Sequence, residues 1–332
     1  MSLCDGASRA LRDLCSPFNL RNNNKEAEEN YQKDNDDADI RAEAREKTFD
    51  SVYDIMMSVL DCKDTYFDEK TANSFHVTVK YFEPEDNTDN AASCSPFFFS
   101  PLSAEIIDCF PFNVEEEGTK WFVEALGKCE FGDQPSKKRK ISRDASSLVG
   151  KLRWLVGGAL RIFPDDTKKR YLLNIENWWN LGLCPEVFRE DLIDMLNATG
   201  YSRNRMFAVY DGYVAVPSSR RINEPHVSVT IEHSYAASDS ISRAEVLTIL
   251  AATMTQLEHK HLGEHYITPV MVVSFMDSLQ GRIVMANMTN DGLLIHKSKL
   301  YDFRTQEEFD ASMPVFTRYM AGYRIGDTRQ FR

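Results

Sequence analysis

The pattern Ser242-Arg243-Ala244-Glu245 constrains this chain more than any other stretch. A serine followed three residues later by a glutamate, ahead of a long apolar run, can satisfy the free amides at a helix start reciprocally. It predicts a helix over 242–261, SRAEVLTILAATMTQLEHKH. β-rich runs bracket that helix. Before it come RMFAVYDGYVAVP and HVSVTIEHS. After it come ITPVMVVSFM (267–276), GRIVMANM (281–288) and, past the turn TNDG, LLIHKSKLYDF (293–303). Asp211-Gly212 splits the first run as a hairpin turn would. The order of three strands, one helix and three strands predicts an α/β or α+β fold, with a mixed sheet flanked by helices.

The remainder divides by composition. Residues 1–37 are acidic and Asn-rich and predict disorder or loose helix. Residues 38–131 read as a helical and mixed part. In it Phe49, Val52, Ile55, Met56, Val59 and Leu60 form one helical stripe, SFHVTVKYF (74–82) alternates as a strand does, and Asn113 suits a helix start. Residues 132–147, GDQPSKKRKISRDASS, read as a basic linker or exposed loop. The α/β core then spans 148–332. Its opening segments through KKRYLLNIENWWNLGL read as mostly helix. PEVFREDLIDMLNATG reads as a helix with Pro185 in its first turn and Gly200 at its exit. PVFTRYMAGY reads as a short helix started by Pro314.

A formal charge of −12 argues against a generally basic binder, although a local basic stripe suffices for nucleic acid. Seven cysteines without a CxxC pattern suit reduced thiols in the cytosol or nucleus. No leader-like apolar segment opens the sequence, and no apolar run reaches membrane-spanning length, so no membrane partner is expected.

Glu232 is the leading candidate for chemistry. It ends a strand-like run, where a carboxylate must be paired or used. A hairpin carrying Asp211, a strand carrying Glu232, then a helix and another strand resemble the restriction-endonuclease-like PD-(D/E)XK core, placed here in the C-terminal half. That core brings two carboxylates together on Mg²⁺, a hard ion that takes oxygen ligands. The candidates are Asp211 or Glu224 together with Glu232. Gln256, on the following helix, stands where such folds often carry a glutamine. The lysine that normally follows the strand acid by two positions is here Ser234, and Arg243 is the candidate replacement cation. The plain alternative makes Asp211 a turn residue, Glu224 a loop acid and Glu232 a satisfied strand-end group.

Lys137, Lys138, Arg139 and Lys140 form a basic run suited to phosphate contact or nuclear import. Arg220 and Arg221 precede the Glu232 strand and would rim it with positive charge. His259, His261, Glu264 and His265 cluster in HKHLGEH, but their spacing matches no closed zinc site, so no metal is expected there. Trp154, Trp178, Trp179 and the PFFFSP run read as core.

The stretches PHVSVTIEHSY, TPVMVVSFMDSLQGRIVMANM and GLLIHKSKLYDF resemble a large family of filamentous-fungal proteins. They lie within residues 225–303, less than a third of the chain. Some fungal proteins of this size are arginine-containing cyclodipeptide synthases, which use arginyl-tRNA and a second amino acid. The resemblance implies a tRNA-dependent enzyme of secondary metabolism, cytosolic, without cofactor. Glu232 would then be a general base or a guanidinium partner, and the basic loops would hold tRNA. A PD-(D/E)XK-like nuclease using Mg²⁺, or degenerate, and a non-catalytic nuclear interaction protein are the competing readings.

Overall fold

The structure is a computed structural model that describes residues 17–84, 98–126, 143–163, 170–180, 186–201, 207–215 and 224–329. Helix α1 (Pro17–Asp61) leads through β1 (Tyr66–Phe67) and α2 (Glu69–Ser74) to β2 (Val77–Tyr81). Then come β3 (Phe99–Ser100), α3 (Ala104–Asp108), α4 (Glu117–Leu126) and α5 (Arg143–Arg153). A five-residue π-helix, Trp154–Gly158, continues α5. A 3₁₀ turn (Leu172–Asn174), β4 (Trp178–Asn180), α6 (Glu190–Tyr201) and β5 (Phe207–Ala215) follow. The rest is β6 (Val227–His233), β7 (Ile241–Ser242), α7 (Arg243–Glu258), β8 (Val270–Met276), β9 (Gln280–Thr289), β10 (Gly292–Lys297), β11 (Tyr301–Asp302), α8 (Gln306–Met320) and β12 (Tyr323–Arg324).

Packing divides the chain between Lys47 and Thr48. Of the first unit, Met1–Lys47, the described part is helix from Pro17 onward. The second unit, Thr48–Arg332, holds the mixed sheet, in the order β2-β10-β9-β8-β6-β5-β4, with β11 added beside β9. The neighbours β2–β10 and β6–β8 run parallel, and the other pairs antiparallel. Helix α7 is the crossover that a parallel β6–β8 pair requires.

Helices cover both faces, so the central strands have no wet side. All seven residues of β6 and all seven of β8 are buried. Val227, Val229 and Ile231 join one core with Val246, Leu250, Val272 and Val284. That core also takes Val52, Ile55, Met56 and Val59, with Phe49 and Leu60 packed against it, as the helical stripe predicts. The opposite face packs Met271, Val273, Ile283 and Met285 against Leu148 and Leu152 of α5 and Phe316 and Met320 of α8. Each such side chain contributes roughly 1.5–3 kcal/mol relative to exposure. Residues Ala244–Leu257 of α7 are all buried, which explains why its sequence is apolar around the whole circumference.

Several expectations need correction. Asp211-Gly212 turns no hairpin. β5 is one strand of nine residues, paired with β4 through Tyr213–Ala215 and with β6 along both halves. The register slips between Val209 and Asp211, so the dipeptide adjoins a β-bulge, a feature that also re-aims a strand without ending it. The α8 helix starts at Thr305 and carries Pro314 in its interior; Thr305 and Glu308 form a second capping box. The segment YLLNIENWWN forms a 3₁₀ turn and the strand β4, not a helix. At α4 it is the Glu116 carboxylate that accepts from Thr119 N (2.7 Å), while Asn113 caps only the preceding turn through Glu115 N. Gly200 lies inside α6, which begins at Glu190; Pro185 is outside the described residues.

Candidate functional site at the carboxyl edge of the sheet

The sheet topology sends the carboxyl ends of β2, β6, β8 and β10 to one edge, where β9 begins. α7 starts at that edge because it follows β6 after one short loop, Ser234–Ser240. The carboxyl edge of a parallel strand pair is where α/β folds present ligand-binding groups. Here it carries a dense group of polar side chains.

Arg282 organises the group. It sits on β9, opposite Ser274, with its side chain fully buried. Its Nε donates to Glu245 Oε1 (2.8 Å) and its Nη2 to Glu245 Oε2. Nη1 also donates to the carbonyls of Ser238 and Asp239, both at 3.1 Å, and Nη2 to that of Ser240 (2.9 Å). All five guanidinium protons are thereby engaged, as burial of a charge demands. Glu245 in turn accepts from the amide and hydroxyl of Ser242. Burial would raise the Glu245 carboxyl, but Arg282 beside it, its hydrogen bonds and the Ser242 amide hold it at about 2. One ion pair thus fixes the helix start, the preceding loop and β9.

The Arg282 clamp presents other groups. Lys297 Nζ lies 2.9 Å from Asp239 Oδ1 and 3.8 Å from the Tyr81 ring centre, and Tyr81 donates its hydroxyl to Asp239. Asp239 itself remains 65% exposed, so this triad opens to solvent. Deeper in, a ring nitrogen of His233 lies 2.8 Å from Ser274 Oγ, and burial pushes the imidazole down to about 4. Tyr66 donates to the Ala236 carbonyl (2.6 Å); burial and the Glu245 charge push its hydroxyl up to about 12.

Glu232 lies at the same edge but on the other face. Strand alternation puts it with Ser228 and Thr230 toward α5, and it accepts a short hydrogen bond from Ser146. Asp211, placed by its backbone, pairs with Thr230, and Glu232 pairs with Ala208, so the two acids occupy nearby rungs of adjacent strands. Glu224 does not join them. It precedes the opposite end of β6 and forms an ion pair with Arg324. Arg243 donates to the Cys62 carbonyl, and Gln256 to the Glu186 carbonyl (2.6 Å) near the far end of α7. Neither reaches Glu232 by these bonds. Lys137, Lys138, Arg139, Lys140, Arg220 and Arg221 lie outside the described residues.

The histidine cluster does not converge either. His259 and His261 rings are 5.0 Å apart, but His265 turns to Thr328 Oγ1 (2.6 Å). Among the described residues no three acids, histidines or cysteines gather as cation ligands. Trp178 is buried as expected, whereas Trp154 is 40% exposed and stacks on Phe122. Sequence reading missed Arg282, Lys297 and Asp239. The lone charged residue in a mostly apolar strand, GRIVMANM, was the available signal for the first.

Fold and site together define a mixed α/β protein with a buried polar cluster at the carboxyl edge of its sheet. Comparison with models of known families, with curated proteins and with solved structures finds no match. Among the described residues no helix is long and apolar enough to cross a membrane.

Proposed function

We propose that this chain is a tRNA-dependent enzyme of secondary metabolism, an arginine-containing cyclodipeptide synthase working in the cytosol on arginyl-tRNA and a second amino acid. The observation that carries the reading is the setting of Glu232. It stands near the end of β6, ahead of β7, α7 and β8, and where a PD-(D/E)XK-like core would carry its lysine the chain has Ser234. A carboxylate so placed suits base chemistry on an amine. The amine of the second amino acid, itself carried as a tRNA ester, attacks the arginyl ester; the C–N bond forms, the C–O bond to the first tRNA ribose breaks, and Glu232 takes the amine proton. The arginyl amine then attacks the second ester, which closes the ring and releases the second tRNA. Each departing ribose oxygen is reprotonated from solvent. The basic segments containing Lys137–Lys140 and Arg220–Arg221 would contact tRNA phosphates.

One observation favours a second reading, a nuclease using Mg²⁺. Asp211 and Glu232 occupy neighbouring strands two rungs apart, a separation from which two carboxylates can share a cation. Expression of the chain in a heterologous host, followed by metabolite analysis, separates the two. A new arginine-containing cyclic dipeptide that disappears in Glu232→Gln supports the synthase. Soluble protein without such a product, but with Mg²⁺-dependent cleavage of nucleic acid lost in the same variant, supports the nuclease. Neither activity, with nuclear accumulation that depends on Lys137–Lys140, supports an interaction protein.

A further inference from the structure

Away from the sheet edge, a cleft of about 530 Å³ opens between α3, the end of α4, the π-helix and α8. The volume lies within the range of sites for small organic ligands. Its walls are mostly apolar, with Ile107, Phe112, Leu155, Phe309 and Met313 among them. Leu155 reaches the cleft from the π-helix, a rare element that often marks functional positions.

Five polar side chains interrupt the lining, Asp108, Arg161, Gln306, Asp310 and Thr317; the two carboxylates are exposed to solvent, whereas Arg161 and Gln306 each hold a buried polar atom without a hydrogen-bond partner. Arg161 is 8% exposed, stacks its guanidinium 3.8 Å over the Phe112 ring, and donates from Nη1 to the Phe110 carbonyl (2.9 Å). Its Nε is buried and has no hydrogen-bond partner, and among the described residues no carboxylate forms an ion pair with it. Burial lowers the guanidinium to about 10, so the group remains cationic at neutral pH. Across the cleft Gln306 donates to Asp310 Oδ1 (2.7 Å), which leaves its Oε1 buried without a donor. A buried cation and a buried acceptor, both incompletely satisfied, cost stability unless a ligand completes them.

We propose that this cleft binds an organic acid with an aromatic or branched apolar body. The carboxylate meets the Arg161 guanidinium, and the apolar body fills the space between Phe112, Leu155, Phe309 and Met313. The lone Oε1 of Gln306 selects acids that also carry a hydroxyl or amine donor. Glu232 does not line the cleft, and the proposal does not depend on the synthase reading.

The test uses the whole chain and two matched probes, 2-naphthoate and its neutral amide, titrated by the probes' own fluorescence. The acid binds the unaltered protein at least tenfold more tightly than the amide. Arg161→Gln removes that preference while leaving amide binding unchanged, and Met313→Trp, which fills the cleft, removes binding of both. Equal binding of acid and amide by the unaltered protein, or no binding of either, overturns the proposal. So does an acid preference that survives in Arg161→Gln. If either variant fails to fold, the comparison on the unaltered chain decides. A 3-hydroxy-2-naphthoate probe that binds no more tightly than 2-naphthoate would refute the role given to Gln306.

Discussion

Glu232 and His233 are neighbours in the chain, yet they serve opposite faces of one sheet. Glu232 accepts from Ser146 on the α5 side, and His233 meets Ser274 on the α7 side. The period of two along a strand enforces this division. A change at one position therefore tests chemistry on one face without touching the other.

Glu232→Gln keeps the shape of the side chain and an oxygen able to accept from Ser146. Its thermal midpoint should stay within about 2–4 °C of the parent, the shift that 1 kcal/mol produces in a large domain. Product formation in the expression test should fall by at least a hundredfold, the lower range for loss of a general base. A variant with full product and an unchanged midpoint removes Glu232 from the chemistry.

The Arg282–Glu245 pair predicts a large loss. Arg282→Met leaves a buried carboxylate without its guanidinium and takes a donor from three loop carbonyls, of which that of Asp239 keeps Lys297 Nζ. Breaking a buried pair in this way costs about 3–5 kcal/mol. Urea unfolding followed by circular dichroism measures it. A change below about 1 kcal/mol would mean that the clamp contributes little.

Two buried histidines predict acid sensitivity. Burial pushes His226 down to about 3 and His233 to about 4. Both are neutral in the folded protein, while the unfolded chain takes up protons near the ordinary value of 6.5. Their contribution is complete above about pH 6.5 and is lost as pH falls toward 4 and below, at up to about 1.4 kcal/mol per pH unit for each group. His226→Phe, which keeps a ring against Phe98 and Phe99, should flatten this dependence between pH 6 and 4. An unaltered slope would place the titration elsewhere.

The start of α8 offers a smaller measurement. Thr305→Ala removes the hydroxyl that accepts from Glu308 N (3.1 Å) and should cost about 1 kcal/mol. If Pro314 began the helix, the same substitution would have no effect on chemical denaturation.

Local patterns in the sequence carried much of this fold. The Ser242–Glu245 cap, the strands β6 and β8–β10, and the apolar stripe of α1 each follow from residues a few positions apart. Misreadings arose where one local pattern serves two structures. Asp-Gly suits a turn and also the neighbourhood of a bulge, and the partners of β5 on both sides select the latter. Pro314 resembles a first-turn proline until Thr305 and Glu308 are seen to cap the helix earlier. At the carboxyl edge the sequence singled out Glu232 and, by its backbone rung on β5, Asp211, but not the cluster around Arg282. Arg282 and Glu245 join β9 to α7, and no local spacing reports such a meeting. Glu224 belongs to Arg324, a partner supplied by the last strand.

The parallel pairing of β2 with β10 joins Val77 to Leu293, roughly two hundred residues later in synthesis. At ribosomal rates of 5–20 residues per second, the earlier strand waits roughly 10–40 s before its partner exists. Throughout that interval its hydrogen-bonding edge lacks the neighbour it has in the finished sheet. The nascent chain therefore has a defined period of exposure, and a chaperone that shields extended segments would act on β2 before any other strand of the sheet.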